Sequence, residues 1–173
     1  MAITQSQTGS VSEAASESTS VMTVATTGDS AQSFSIASGN TDGIFAISNA
    51  GVITIASTTN LDYETKTSYT LSISGVAGSS TDTEDVTITI VDANDQTPSY
   101  SATNANPDVV EGTTAVETDV TITDSDTGDS NTCTVGGADA SSFTCSADSD
   151  SYSLAFSSAA DFESASVDGD DVY

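Results

Sequence analysis

One basic residue, no histidine, no tryptophan, two prolines and two cysteines are all that 173 positions contain of those types. Each scarcity removes a class of function. Lys66 stands alone against 26 acidic residues, a formal net charge of −25, so the chain has nothing with which to neutralise a phosphate backbone. Nucleic acid is excluded as a partner. The same charge repels anionic membrane surfaces, and no apolar run is long enough to cross a bilayer, so direct membrane insertion is excluded for this segment. Without histidine, neither a Ser-His nor a Cys-His nucleophile can be assembled, and two cysteines alone make no zinc site. If the chain were an enzyme, a glycosidase using paired carboxylates would be the most plausible kind. The opening residues Met1-Ala-Ile-Thr-Gln-Ser-Gln lack the charged start and apolar core of a secretory leader. The chain is therefore expected to be a processed or partial segment of a longer secreted protein.

What is present favours strands. Serine and threonine make up about a third of the residues, and no stretch shows helical periodicity. Short alternating runs fall at 20–26, 33–37, 44–48, 52–56, 69–75 and 86–91, with an opening strand near 10–13. Turn-forming clusters such as Gly39-Asn-Thr-Asp-Gly43 and Asn49-Ala-Gly51 separate them. Seven short antiparallel strands in about 100 residues predict an all-β Greek-key sandwich. Its inward set is Met22, Val24, Phe34, Ile36, Phe45, Ile47, Ile53, Ile55, Leu71, Ile73, Ile88 and Ile90. Cys133 and Cys145 sit in a stretch that reads as two strands and a turn, where a hairpin disulfide is favoured over two reduced thiols. A disulfide places the protein outside the cytoplasm.

The pattern then repeats. Glu13 falls on Glu111, Asp29 on Asp126, Phe45 on Phe143, and Leu61-Asp-Tyr-Glu64 on Ala160-Asp-Phe-Glu163, in the same order and at nearly constant spacing. Two tandem sandwiches are expected, at 1–97 and 98–173. The second is incomplete at its C-terminus, lacking counterparts of the strands at 69–75 and 86–91. Either a parent chain continues or a neighbouring subunit donates the missing strands, and continuation is the simpler expectation.

Between the halves lies Asp92-Ala-Asn-Asp-Gln-Thr-Pro-Ser, a run of hard oxygen donors closed by Pro98, which stops the preceding strand. This linker, with Glu13, the 45–53 stretch, Leu61-Asp-Tyr-Glu64 and Tyr69-Thr-Leu71, resembles the cadherin repeat. The first half matches nearly throughout and the second from Glu111 to Glu163. The resemblance implies calcium at the joint. Ligands would be the carboxylates of Glu13, Asp62 and Glu64, then Asp92, Asn94 and Asp95 with carbonyls near Ala93 and Gln96. Asp124 and Asp126 would follow from the second repeat, with a carbonyl near Asn131. These assignments account for the acids a glycosidase would need, so no enzyme is expected. Asp29, Asp82, Glu84, Asp85, Asp148 and Asp150 read as surface charge.

The resemblance further implies an extracellular or cell-surface, calcium-binding module. Its ions would hold a rod of repeats straight for adhesion to other copies of itself or to another surface protein. The alternative is a structural subunit of a filament, tube or surface layer assembled by strand complementation. Thr27-Gly-Asp29 and Ser74-Gly-Val-Ala-Gly78 stand where an upstream-facing calcium site would need aspartates, so the chain reads as the first two repeats of an array. The absence of tryptophan argues against the Trp-anchored strand swap of animal cadherins. An acidic, Lys-poor composition points to a microbial, marine or halophilic source.

Overall fold

The computed structural model describes residues 1–28, 33–104, 106–128, 130, 132–148 and 151–161. The chain divides into two units, Met1–Asn94 and Asp95–Tyr173. The described elements are nearly all β, and no helix among them is long and apolar enough to cross a membrane.

The first unit runs β1 (Ala2–Ile3), β2 (Gln7–Ser12), β3 (Ser20–Thr23), β4 (Thr26–Thr27), β5 (Ser33–Ser38), β6 (Phe45–Ile47), β7 (Val52–Ile55), β8 (Ser68–Ala77) and β9 (Ser80–Val91). A four-stranded sheet has the order β2-β9-β8-β5, a three-stranded sheet the order β3-β7-β6, and β1 pairs with β4. Alternation drives the build. In β8 and β9, Tyr69, Leu71, Ile73, Val86, Ile88 and Ile90 point into the core, while the residues between them are at least partly exposed. They meet Phe45, Ile53 and Ile55 of the other sheet in one buried cluster, with Val11, Val24, Ile44 and Leu61 closing its margins. The β8–β9 hairpin turns through Gly78 and Ser79, with Ala77 opposite Ser80 and Gly78 at φ 62°. Gly51, at φ 80° between β6 and β7, lets the Phe34 ring approach: a Cβ there would lie 2.9 Å from it.

Two expectations change. The strands are not all antiparallel: β2 runs parallel to β9, with Gln7 opposite Val86 and Ser12 opposite Val91. Hydrophobic alternation carries no information on strand direction, because side chains alternate with period two in parallel and antiparallel pairs alike. The inward set also shifts. Met22, Phe34, Ile36 and Ile47 are only partly buried, whereas Ile3, Val11, Ile44, Leu61, Tyr69 and Val86 belong to the core. Asp82, read as surface charge, accepts the Ile3 N–H at 2.6 Å and so satisfies the backbone of the short β1.

The second unit runs β10 (Ser99–Ala102), β11 (Ala115–Thr123), a 3-10 turn at Ala140–Ser142, β12 (Phe143–Asp148) and β13 (Ser151–Phe156). These strands form one sheet in the order β10-β11-β13-β12. Val116, Tyr152 and Phe156 are its buried apolar side chains, and Phe143 stacks on Phe156 with ring centroids 4.6 Å apart. A disulfide joins Cys133 to Cys145, with their Cα atoms 6.1 Å apart. It is not a bond across a hairpin, because Cys145 lies in β12 while Cys133 lies in an irregular segment.

Candidate metal centre

The parallel register of β2 on β9 decides which acids meet. Because both strands leave the sheet at the same end, Glu13 emerges beside the start of the linker, and its N–H donates to Val91 O at 3.1 Å. Antiparallel pairing would have sent these residues to opposite ends of the unit. The Glu13 side chain is 6% exposed. One carboxylate oxygen accepts the Ala93 N–H at 2.8 Å and the other accepts the Tyr63 N–H. It thereby ties three segments together: the end of β2, the turn at 61–65 and the linker.

That turn is anchored from several sides. Leu61 is buried, and Lys66 N–H donates to Asp62 O at 3.0 Å. The Asp62 carboxylate accepts both the Thr65 N–H and the Thr65 hydroxyl, each at 3.0 Å. The Lys66 ammonium reaches Asp42 at 3.2 Å and lies 3.9 Å from the centre of the Tyr69 ring. Burial pushes the Tyr69 phenol above its ordinary pKa, and the charges of Asp42 and Asp62 push it further. Glu64, carried by this turn, offers a carboxylate oxygen within 4.8 Å of one on Glu13 and within 4.8 Å of one on Asp92. Carboxylates this close repel by about 4 kcal/mol per pair at the effective dielectric of a protein surface. A divalent cation shared between them reverses the sign of that term.

In the second unit the buried acid is Asp126, which in the repeat falls on Asp29 and not on Glu13. It is 8% exposed, and one carboxylate oxygen accepts the N–H groups of Asp95 and Gln96 at 3.0 and 2.9 Å. Its own N–H donates to Asp124 at 3.2 Å. The other Asp126 oxygen is buried with no hydrogen-bond partner among the described residues. A buried, unsatisfied carboxylate oxygen is costly unless something positive completes it. The donors in both units are oxygen only, the set that calcium prefers and that zinc and copper do not.

Of the residues singled out from sequence, the first unit draws together Glu13, Glu64, Asp92 and Ala93, with Asn94 adjoining. The second draws together Asp95, Gln96, Asp124 and Asp126. Asp62 stands apart, with both oxygens turned to Thr65. Ala93 and Gln96, expected through their carbonyls, engage the acids through their N–H groups. Asn131 lies outside the described residues. Thr65 and the Asp42–Lys66 pair were not anticipated, although Asp followed by Thr three positions on is a readable local cap.

Known proteins show which family the chain resembles. Residues 7–92 match the family model for the cadherin domain. Human Protocadherin Fat 4 is 37% identical over 102 residues, 54% of this chain and 2% of that protein. The mouse Cadherin EGF LAG seven-pass G-type receptor 2 is 34% identical over 129 residues, 69% of this chain and 4% of that protein. Among solved structures, the human Desmocollin-1 ectodomain superposes with a TM-score of 0.76 at 24% identity, covering 92% of this chain and 34% of that one. Extracellular cadherin domains 3–6 of Protocadherin Gamma B2 superpose with a TM-score of 0.62 at 22% identity, covering 92% and 39%. The chain thus spans a small part of each relative.

Proposed function

Because the chain belongs to the cadherin family, we propose that it works outside the cell as a calcium-binding module whose inter-repeat ions rigidify a rod used for cell adhesion or surface interaction. The observation that supports this reading is that Glu64 holds a carboxylate oxygen within 4.8 Å of one on Glu13 and within 4.8 Å of one on Asp92, all three in the first unit. The chain's one basic side chain is committed to Asp42, so compensating those carboxylates falls to a cation from solution. The proposed ligands are the carboxylates of Glu13, Asp62, Glu64, Asp92, Asp95, Asp124 and Asp126 and the side chain of Asn94. Carbonyls at Ala93, Gln96 and Asn131 complete the set. Asp62 joins by turning one oxygen away from Thr65. When bound, calcium supplies charge neutralisation and crosslinking of oxygen ligands, not chemistry on a substrate. The partners are then calcium, other copies of the chain or another surface protein, and no catalysis is assigned.

A second reading, a structural subunit of a filament, tube or surface layer, draws support from the second unit. Its described residues form a single sheet, which a strand from a neighbour would extend or cover.

Calorimetric titration with calcium tests the first reading. A Kd on the order of 10⁻⁴ to 10⁻³ M is expected, in the range of extracellular calcium modules. Glu64→Gln should weaken it at least tenfold, and Lys66→Gln should leave it unchanged. No saturable heat at several millimolar calcium, or a Glu64→Gln titration equal to wild type, would sink it. Sedimentation of the chain with and without calcium addresses the second reading, which a monomer under both conditions rules out.

A further inference from the structure

Between Ile3 and Gln7 the chain bows away from the edge of β9. It touches β9 at Ile3, whose N–H donates to Asp82, and again at Gln7, which opens the β2 ladder opposite Val86. Within the bow Ser6 takes φ 56°, a left-handed conformation that costs a residue other than glycine some strain. The bow is pinned on both sides. The Gln7 side chain accepts the Ala25 N–H at 2.6 Å and donates to Thr4 O at 2.7 Å, while the Gln5 amide donates to Glu84 at 3.2 Å. Among the described residues, β9 has no ladder partner on this side along 83–85, and a cleft of about 600 Å³ opens there.

The chemistry of the cleft is narrow. Gln5, Ser6, Thr8, Thr70, Asp85 and Thr87 stand in its lining, which offers amide, hydroxyl and carboxylate groups and holds no aromatic or aliphatic side chain. The chain's one cation, Lys66, is not among them. The lining continues onto the outward face of the sheet, where hydroxyls line up across strands. Thr8 and Thr70 both lie opposite Thr87, and Ser10 and Ser68 both lie opposite Thr89. In a chain of net charge −25, Asp85 is the one charged residue at the outward positions of β2, β8 and β9.

We propose that this cleft binds a neutral oligosaccharide. Amides, hydroxyls and a carboxylate are the groups that exchange hydrogen bonds with sugar hydroxyls, and a bond to the Asp85 carboxylate would be charge-assisted, the stronger kind. Asp85 and Glu84 would repel phosphate, sulfate or uronate, with no cation beside them to reverse that. A lining without apolar walls has little to offer a lipid or an aromatic ligand. Short hydroxyl side chains also have little rotamer freedom to lose when a ligand settles on them. The proposal names a class of surface partner and rests on the surface-interaction reading above for its purpose, but it requires no calcium.

Amide chemical-shift mapping of the full chain, in excess chelator and again with calcium, tests it with maltohexaose, mannohexaose and a hexamer of N-acetylglucosamine. At least one is expected to give saturable shifts at several millimolar, confined to 5–8, 70 and 83–87 and alike in both conditions. Asp85→Ala should weaken that binding about tenfold or more, the worth of a hydrogen bond to a charged group, and Asp85→Asn should recover part of it. Asp85 is exposed, so neither variant disturbs the core. No saturable shift from any of the three sugars overturns the proposal. So do shifts from a chitosan hexamer alone, which would mark the acids as a general attraction for positive charge, and so does an Asp85→Ala titration equal to wild type. Calorimetry with calcium decides the metal reading separately: sugar binding without calcium heat keeps the cleft, and calcium heat without sugar binding keeps the metal centre.

Discussion

In the first unit, β3-β7-β6 forms a sheet whose apolar face is closed by β2-β9-β8-β5. In the second, β11-β13-β12 repeats that order, with Phe143 standing where Phe45 stands, and β10 on β11 repeats β1 on β4. No second sheet forms among the described residues of that unit. The segment at 132–136, counterpart of most of β5, is irregular, because in the first unit β5 is held by β8 and nothing described in the second unit takes that place. The difference teaches that the β8–β9 hairpin does two things at once. It supplies most of the fully buried side chains, and its last strand aligns Glu13 with the linker. Among the described residues of the second unit, which include no such hairpin, a disulfide ties the corresponding segment to β12.

The sharpest way to break this comparison is to hollow the hairpin. Leu71 is fully buried on β8, and Leu71→Ala should cost the first unit about 2–5 kcal/mol in denaturant unfolding. A loss below about 1 kcal/mol would mean that the hairpin is not what completes the core. Next in size is removal of the disulfide by Cys133→Ser with Cys145→Ser. Closing a loop of this length is worth about 2–4 kcal/mol, and exchange protection in β12 and β13 should fall while that in β8 and β9 stays unchanged. Smallest is Lys66→Met, which deletes the half-exposed ion pair with Asp42 and the contact with Tyr69. Less than about 1 kcal/mol is expected, shrinking further in high salt. A larger loss would show that the turn carrying Glu64 depends on this one cation.

Much of the fold was readable from period-2 alternation and turn residues, which locate strands whatever sheet they join. The β6, β7, β8 and β9 regions are all visible that way. Pairing direction was not readable, since Gln7–Ser12 carries the same alternation in a parallel or antiparallel neighbour. The ligand types were legible too, because the run of Asp and Asn before Pro98 gathers hard oxygen donors at the point where a strand must end. Which acids would be buried was not. The resemblance marks Glu13 and Asp126 as ligands along with several other acids, but nothing in the sequence singles these two out for burial until β9 and the linker amides are set beside them. Asp62 shows the converse: its motif marks it as a ligand, while the Thr65 three residues on supplies a local partner that holds its oxygens.

The central claim is that a defined subset of a very acidic surface binds calcium, and backbone-amide chemical-shift mapping during a calcium titration tests it most directly. The account predicts saturable shifts confined to 13, 61–66, 91–96 and 124–126, with magnesium at the same concentration producing far smaller ones. Small, unsaturating shifts spread over Asp82, Glu84, Asp85 and the other surface acids, equal for the two metals, would contradict it.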